Sequence, residues 1–548
     1  MSAPAPYNLR PRETVSMRTR DGVRLDADLH RPDADGPFPV LLMRQPYGRT
    51  IASTVSHAHP SWYARHGYIV VIQDVRGRGT SEGEFDLLAQ ELDDGFDAVA
   101  WSAALPGATG EVGMYGFSYQ GMAQVFAAAS GAPALKAICP AMIAYDVYEH
   151  FAYEGGALRL ELVMAWAVQL AAETARRKGD AEAHQALFAA SRSLPLDGMT
   201  PARPEALERF AAYCHYDDWV SNPKPGPYWE RISPKTAARS IDLPALHIGG
   251  WFDAFLPGTL ACHRDWAARC RRPQRLAIGP WVHTPWSPKA GDRDYGPSAV
   301  SPIDRLQIRW FDHWLKGVDT GLLDEPPVLL YEMGGERWRA FDRWPDGPGI
   351  SRYLTSGGRA AIDLTNGGLA PGPETGEGGG EDAGVFDPWR PVPAVGGCLG
   401  APAGPAERSG VDGRPDVLTY TSEPLEEDLH LAGDVTLEVW LRSDAPDFDL
   451  SAVVSEVTPE GRAFTLTQSH SRIEEGARTG PLRLSLRAIC CRIPRGRRLR
   501  LSLAGACFPA YAINPGTGAQ PGDAALIDQR VITLFVATAA SRLILPVG

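Results

Sequence analysis

The sequence predicts an α/β domain interrupted by a helical segment and followed by an all-β domain of jelly-roll type. Three observations carry that prediction. Over residues 37–285, short continuous apolar runs alternate with helical stretches, the pattern of strands buried on both faces of a parallel sheet. Between residues 142 and 240 the alternation gives way to alanine-rich helical sequence. Beyond residue 326 the chain turns to period-2 strand patterns separated by Gly and Pro, as in a β-sandwich. A chain of 548 residues is expected to form two or three domains. The expected division is 1–141 and 241–325 for the two parts of the α/β core, 142–240 for the helical insertion and 326–548 for the sandwich.

Taken in order, residues 14–31 alternate polar and apolar around Asp21-Gly22 and predict a hairpin. Pro39–Met43 and Tyr68–Gln73 read as core strands, and Leu92–Ala104 as a helix. Gly113–Tyr115, Ala134–Pro140, Ala245–Ile248 and Leu276–Ile278 read as further short strands. The insertion holds an amphipathic run at Leu158–Arg177. Pro371–Gly384 reads as a flexible loop. After it, Val435–Leu441, Leu450–Val457, Leu482–Leu486, Leu499–Leu503 and Arg530–Val536 alternate as strands.

Composition excludes several classes. A net charge of -12 argues against a nucleic-acid partner, which needs a basic face. No apolar run is long enough to cross a bilayer, and the first ten residues lack the apolar core of a secretory signal. The eight cysteines show no CxxC pair and no zinc spacing, so no metal site is expected. They read as reduced thiols in a cytoplasmic protein. Homo-oligomerisation is compatible with the sequence.

The chemistry centres on Gly113-Met-Tyr-Gly-Phe-Ser-Tyr-Gln-Gly121. Ser118 stands between glycines, after an apolar run and before small helix formers, which is the layout of a nucleophile elbow. The usual G-x-S-x-G spacing is broken, because residue 120 is Gln and the second glycine comes at Gly121. A hydrolase built on such an elbow needs an acid and then a histidine downstream, each on a loop after a strand. Leu246-His-Ile-Gly-Gly-Trp-Phe-Asp253 and Leu276-Ala-Ile-Gly-Pro-Trp-Val-His283 supply them in that order and with one grammar: strand, glycine turn, aromatic, functional residue. His283 can take the serine proton and Asp253 can orient the imidazole. One oxyanion donor is expected from the backbone N–H of Tyr119. For the second, the loop Arg44-Gln-Pro-Tyr47 lacks an HGGG-type glycine pair. Tyr47 either donates its hydroxyl there or packs against the turn.

These residues match a larger set: Arg20–Asp28, Arg44–Tyr47, Asp74-Val-Arg-Gly-Arg-Gly-Thr-Ser-Glu-Gly83, Gly116–Gly121, Gly250–Asp253, Gly279–His283, Trp310–Gly317, Ser443–Asp449 and Phe508–Gly518. Together, and along almost the whole chain, they resemble the bacterial cocaine esterase family, which includes α-amino acid ester hydrolases and is related to X-prolyl dipeptidyl aminopeptidases. The resemblance implies an α/β-hydrolase core, a helical cap inserted in it and a C-terminal jelly roll. It implies a Ser118, His283, Asp253 triad, an oxyanion site made by the Tyr47 hydroxyl and the Tyr119 amide, and a G-x-S-Y-x-G elbow in which Gln120 is regular. Asp74–Gly83 lacks a G-K-[ST] ending and reads as a structural turn near the site.

An aromatic pocket wall is expected from Trp166 in the insertion, Trp251 and Phe255 beside the aspartate, and Trp286 past the histidine. Glu154, Glu161, Asp217 and Asp218 are acidic candidates for binding a substrate ammonium, though no motif assigns them that role. The expected activity is cleavage of a small-molecule ester through an acyl-enzyme. The alternative is an amide-directed acylase or aminopeptidase. The chemistry requires no cofactor.

Overall fold

The computed structural model describes residues 7–51, 54–198, 200–373, 380–474 and 480–548. Two ten-stranded sheets dominate it. The first runs Glu13–Arg18, Arg24–His30, Ile69–Asp74, Phe38–Gln45, Ala108–Phe117, Leu135–Ala141, Ala245–Phe252, Gln274–Val282, Val328–Glu332 and Arg337–Phe341 in spatial order. The expected hairpin is present, with Arg18 opposite Arg24 and Gly22 at φ +86° in the turn. From Ile69–Asp74 to Val328–Glu332 the strands are parallel, as their unbroken apolar runs predict. The parallel strands place their carboxyl ends along one edge, where the loops of an open α/β sheet form sites.

The sheet continues past residue 325. Val328–Glu332 pairs in parallel with Gln274–Val282, and Arg337–Phe341 closes that edge antiparallel. The expected boundary at 326 therefore falls inside the first sheet.

Residues 142–244 leave the sheet between neighbouring strands Leu135–Ala141 and Ala245–Phe252. They form a set of helices, the longest being Leu160–Arg177. That helix buries Val163, Met164, Ala167, Val168, Leu170 and Ala171, one face at three- and four-residue spacing.

The second sheet contains the five strands expected of the C-terminal region, each longer than the period-2 pattern alone indicated. It also contains Gly349–Thr355, Val417–Ser422 and Ala463–Ile473, whose polar residues obscure the alternation. Within the expected loop at Pro371–Gly384, residues 374–379 lie outside the described residues, while Glu381–Phe386 is a strand paired with Ile532–Pro546. A shared apolar core joins the two sheets: Trp251, Leu276, Ile278 and Tyr331 of the first pack with Leu431, Val435, Cys491 and Leu501 of the second. Among the described residues, no helix is long and apolar enough to cross a membrane.

Candidate active site

Ala108–Phe117 ends in a turn so tight that Ser118 adopts φ +61°, ψ -127° before the helix Tyr119–Ala129 begins. A non-glycine residue at positive φ with such ψ is strained, and the surroundings must impose it. Three features do so. The Ser118 N–H is held by the Ala141 carbonyl at 2.9 Å. Gly116 sits at φ +133°, where a Cβ would lie 2.6 Å from Gln120 Cβ. At Gly121 a Cβ would lie 2.5 Å from Ile143 Cγ2 and 2.8 Å from the Ala141 carbonyl oxygen, so the helix can approach the next strand only through glycine. Position 120 is free to be large, and Gln120 Oε1 accepts from the Phe117 N–H at 3.2 Å. The displaced glycine of the motif is thus a packing requirement one residue later than usual.

The Ala245–Phe252 and Gln274–Val282 strands are parallel neighbours with Gly250 opposite Gly279 and Phe252 opposite Val282. Asp253 and His283, each one residue past those partners, come together. His283 Nδ1 and Asp253 Oδ1 are 2.8 Å apart. Asp253 is fully buried, whereas the imidazole is partly open. With the carboxylate accepting from Nδ1–H, Nε2 is left as the basic nitrogen. Phe117 sets the imidazole beside the elbow, with ring centroids 5.3 Å apart.

Tyr47 reaches the same place from the end of Phe38–Gln45. Its N–H is held by Gln45 Oε1 at 2.9 Å. Trp166 of the insertion donates its indole N–H to the Tyr47 oxygen at 3.0 Å. Burial pushes the Tyr47 phenol up from its ordinary range, against hydrogen bonds from Trp166 and Ser118 that pull it down. The phenol therefore stays protonated and can donate. As first residue of its helix, Tyr119 has a backbone N–H without an intrahelical acceptor. The Tyr119 side chain points away, donating to the Leu87 carbonyl at 2.7 Å and meeting Glu91 at 3.0 Å.

The segment Asp74–Gly83 is structural, as its sequence indicates. Asp74 accepts from the Arg49 N–H at 2.7 Å and so fixes the loop that carries Tyr47. Arg177 ties the long insertion helix to the same segment through the Ser81 carbonyl at 2.6 Å, and buried Arg78 donates to the Leu170 carbonyl at 3.1 Å.

An aromatic wall runs from the imidazole to Tyr47. Phe255 lies 5.0 Å from His283, Phe151 lies 4.9 Å from Phe255, and Trp166 lies 4.8 Å from Phe151, all between ring centroids. Trp286 lies on the other side, 5.8 Å from Phe117, and donates to the His283 carbonyl at 3.1 Å. Trp251 does not join this wall. It is buried in the core against the β domain and donates to the Tyr331 carbonyl at 2.7 Å. Sequence reasoning did not single out Phe117 or Phe151. Phe117 was legible as the neighbour of Ser118, whereas Phe151 is brought in by the insertion. Of the acidic candidates, Glu154 is bound by Arg159 and Arg487, and Asp217 is paired with Arg203. Glu161 is half-buried and Asp218 is exposed.

A strained serine, an imidazole oriented by a buried carboxylate and a protonated phenol can together carry out acyl transfer. The architecture is that of an α/β-hydrolase bearing an all-β domain. Residues 21–285 match the family model described as X-Pro dipeptidyl-peptidase (S15 family). Residues 320–544 match the X-Pro dipeptidyl-peptidase C-terminal non-catalytic domain. The cocaine esterase of Rhodococcus sp. (strain MB1 Bresler) is 32% identical over 533 residues, covering 92% of this chain and 92% of that protein. The crystal structure of an aminopeptidase from the marine sediment archaeon Thaumarchaeota archaeon is similar with a TM-score of 0.80 at 22% identity, over 98% of this chain and 96% of that one. An α-amino acid ester hydrolase is similar with a TM-score of 0.78 at 22% identity, over 100% and 98%. These two structures speak for the fold alone. The chain belongs to the cocaine esterase family of serine hydrolases.

Proposed function

We propose that this protein hydrolyses a carboxylic ester through a covalent acyl-enzyme on Ser118. The observation that carries the reading is the strained Ser118 facing the Tyr47 phenol, with the His283–Asp253 pair beside it. His283 Nε2 takes the Ser118 proton as Oγ attacks the ester carbonyl, and Asp253 stabilises the imidazolium. The oxyanion accepts hydrogen bonds from the Tyr47 O–H and the Tyr119 N–H. Collapse of the tetrahedral intermediate expels the alcohol, which takes its proton from His283. Water, activated by the same nitrogen, then releases the acid and restores Ser118.

The wall of Phe255, Phe151 and Trp166 suits a hydrophobic or aromatic acyl group. Glu154 and Asp217 already answer to arginines, so neither is free to bind a substrate ammonium. The eight unpaired thiols support a reducing, cytoplasmic compartment.

Ser118→Ala tests the reading. Hydrolysis of a p-nitrophenyl ester and labelling by a fluorophosphonate should both be lost while the melting temperature is kept. Retention of near-wild-type turnover would falsify the assignment. Matched ester and amide substrates, compared by kcat/KM, separate the esterase from the acylase reading.

A further inference from the structure

Asp253 lies above a buried charge cluster assembled from three parts of the chain. Glu154 of the insertion is its centre. Its Oε2 accepts from Arg159 Nη2 at 2.6 Å, from Arg487 Nη2 at 2.8 Å and from the Tyr511 hydroxyl at 2.8 Å. Arg487 and Tyr511 belong to the β domain, Arg487 on the strand Leu482–Ile493. Arg159 is fully buried, and Arg487 and Tyr511 are nearly so.

The second arm of each guanidinium turns to the acid loop. Arg159 Nη1 donates to the Ala254 carbonyl at 3.1 Å and to the His150 carbonyl at 2.9 Å. Arg487 Nη1 faces the Ala254 carbonyl at 3.3 Å and, at 3.5 Å, that of Asp253 itself. Meanwhile Asp253 Oδ2 is buried and, among the described residues, has no hydrogen-bond partner.

Charge balance ties these observations together. Buried charges persist only when paired. The two guanidiniums hold Glu154 ionised, with its carboxyl brought down to about 2. One anion answers one cation, and a positive charge is left over. Asp253, equally buried, is the anion next to it. The cluster thus fixes the backbone of the acid loop through the two carbonyls. Tyr511 is in turn stacked on His470 of the β domain, with ring centroids 4.0 Å apart and planes within 10°.

We propose that Arg487 is a positioning residue for catalysis, so that the β domain, through Arg487 and Glu154, sets the place of the catalytic acid. This rests on the assignment of Asp253 as the triad acid. A displacement of about 1 Å at such a loop costs roughly 100-fold in rate.

The test uses the full-length protein and p-nitrophenyl acetate, with active sites counted by fluorophosphonate titration. Arg487→Met should lower kcat per titrated site roughly 10- to 100-fold and slow labelling in step. Arg487→Lys keeps the cation but not the planar fork, and should recover part of that loss. An arginine that merely stabilises the fold would lower the melting temperature and leave kcat per site intact. A kcat within about twofold of wild type in whichever variant folds overturns the proposal, and so does failure of both to fold. Ser118→Ala in the same assay keeps the two readings apart. If it retains activity, the triad assignment fails. If it is dead while the Arg487 variants are fully active, only the positioning role fails.

Discussion

At the scale of single residues, the site depends on side chains whose protonation or conformation is imposed by neighbours. Tyr47 is the clearest case. Trp166 donates to its oxygen at 3.0 Å and the Ser118 hydroxyl does so too, which leaves the phenolic O–H free to turn to an oxyanion. Burial keeps the phenol protonated. Tyr47→Phe should therefore lower kcat by about 100- to 1000-fold, the scale of one oxyanion donor, while the melting temperature changes little. A fall of less than about threefold would show that Tyr47 only packs against the turn. The residues by themselves allowed both roles, because hydroxyl placement depends on a tryptophan 119 positions away, and only the family resemblance implied the donor role. Ser118, Asp253 and His283 were legible because each ends a short apolar strand and they come in a fixed order.

At the scale of elements, the elbow and its helix are a packing unit. The helix Tyr119–Ala129 comes so close to the end of Leu135–Ala141 that residue 121 has no room for a methyl group. Gly121→Ala puts a Cβ against the Ala141 carbonyl oxygen, and backbone cannot move aside cheaply. The expected outcome is a loss of about 1–3 kcal/mol in unfolding free energy, with kcat reduced because the same shift disturbs the Tyr119 N–H. Denaturant unfolding and steady-state kinetics on one preparation read both effects. The neighbouring strands illustrate what local pattern can convey. Trp251 and Phe255 both flank Asp253 in sequence, yet Phe255 meets the imidazole and Trp251 enters the core shared with the β domain. Which side of a strand end another domain will cover is not written in the strand.

At the scale of the whole molecule, the β domain and the catalytic core are joined by apolar packing and by the charge cluster around Glu154. That cluster makes stability depend on acid. The Glu154 carboxyl is lowered from 4.5 to about 2 in the folded protein, chiefly by Arg487 and Arg159 acting against the cost of burial. A depressed folded value means stability that is fully present above pH 4.5 and is lost as pH falls towards about 2. The full contribution is on the order of 3 kcal/mol. Thermal unfolding measured between about pH 6 and pH 3 should show the midpoint falling, and Glu154→Gln should be less stable at neutral pH with a shallower acid dependence. Equal slopes for the two proteins would remove Glu154 as the origin.

The α/β core, the inserted helices, the all-β second part and the identity and order of the candidate triad are legible in the chain's own pattern. Each of these is encoded locally, in hydrophobic period, glycine placement and the succession of strand ends. Only in the folded chain does the first sheet continue to Phe341, Phe151 join Trp166 and Phe255 in one wall, Trp251 leave it and Glu154 fall to two arginines. Those features join residues tens to hundreds of positions apart, and they follow from which surfaces come to share an interior and exclude water, which no local pattern records.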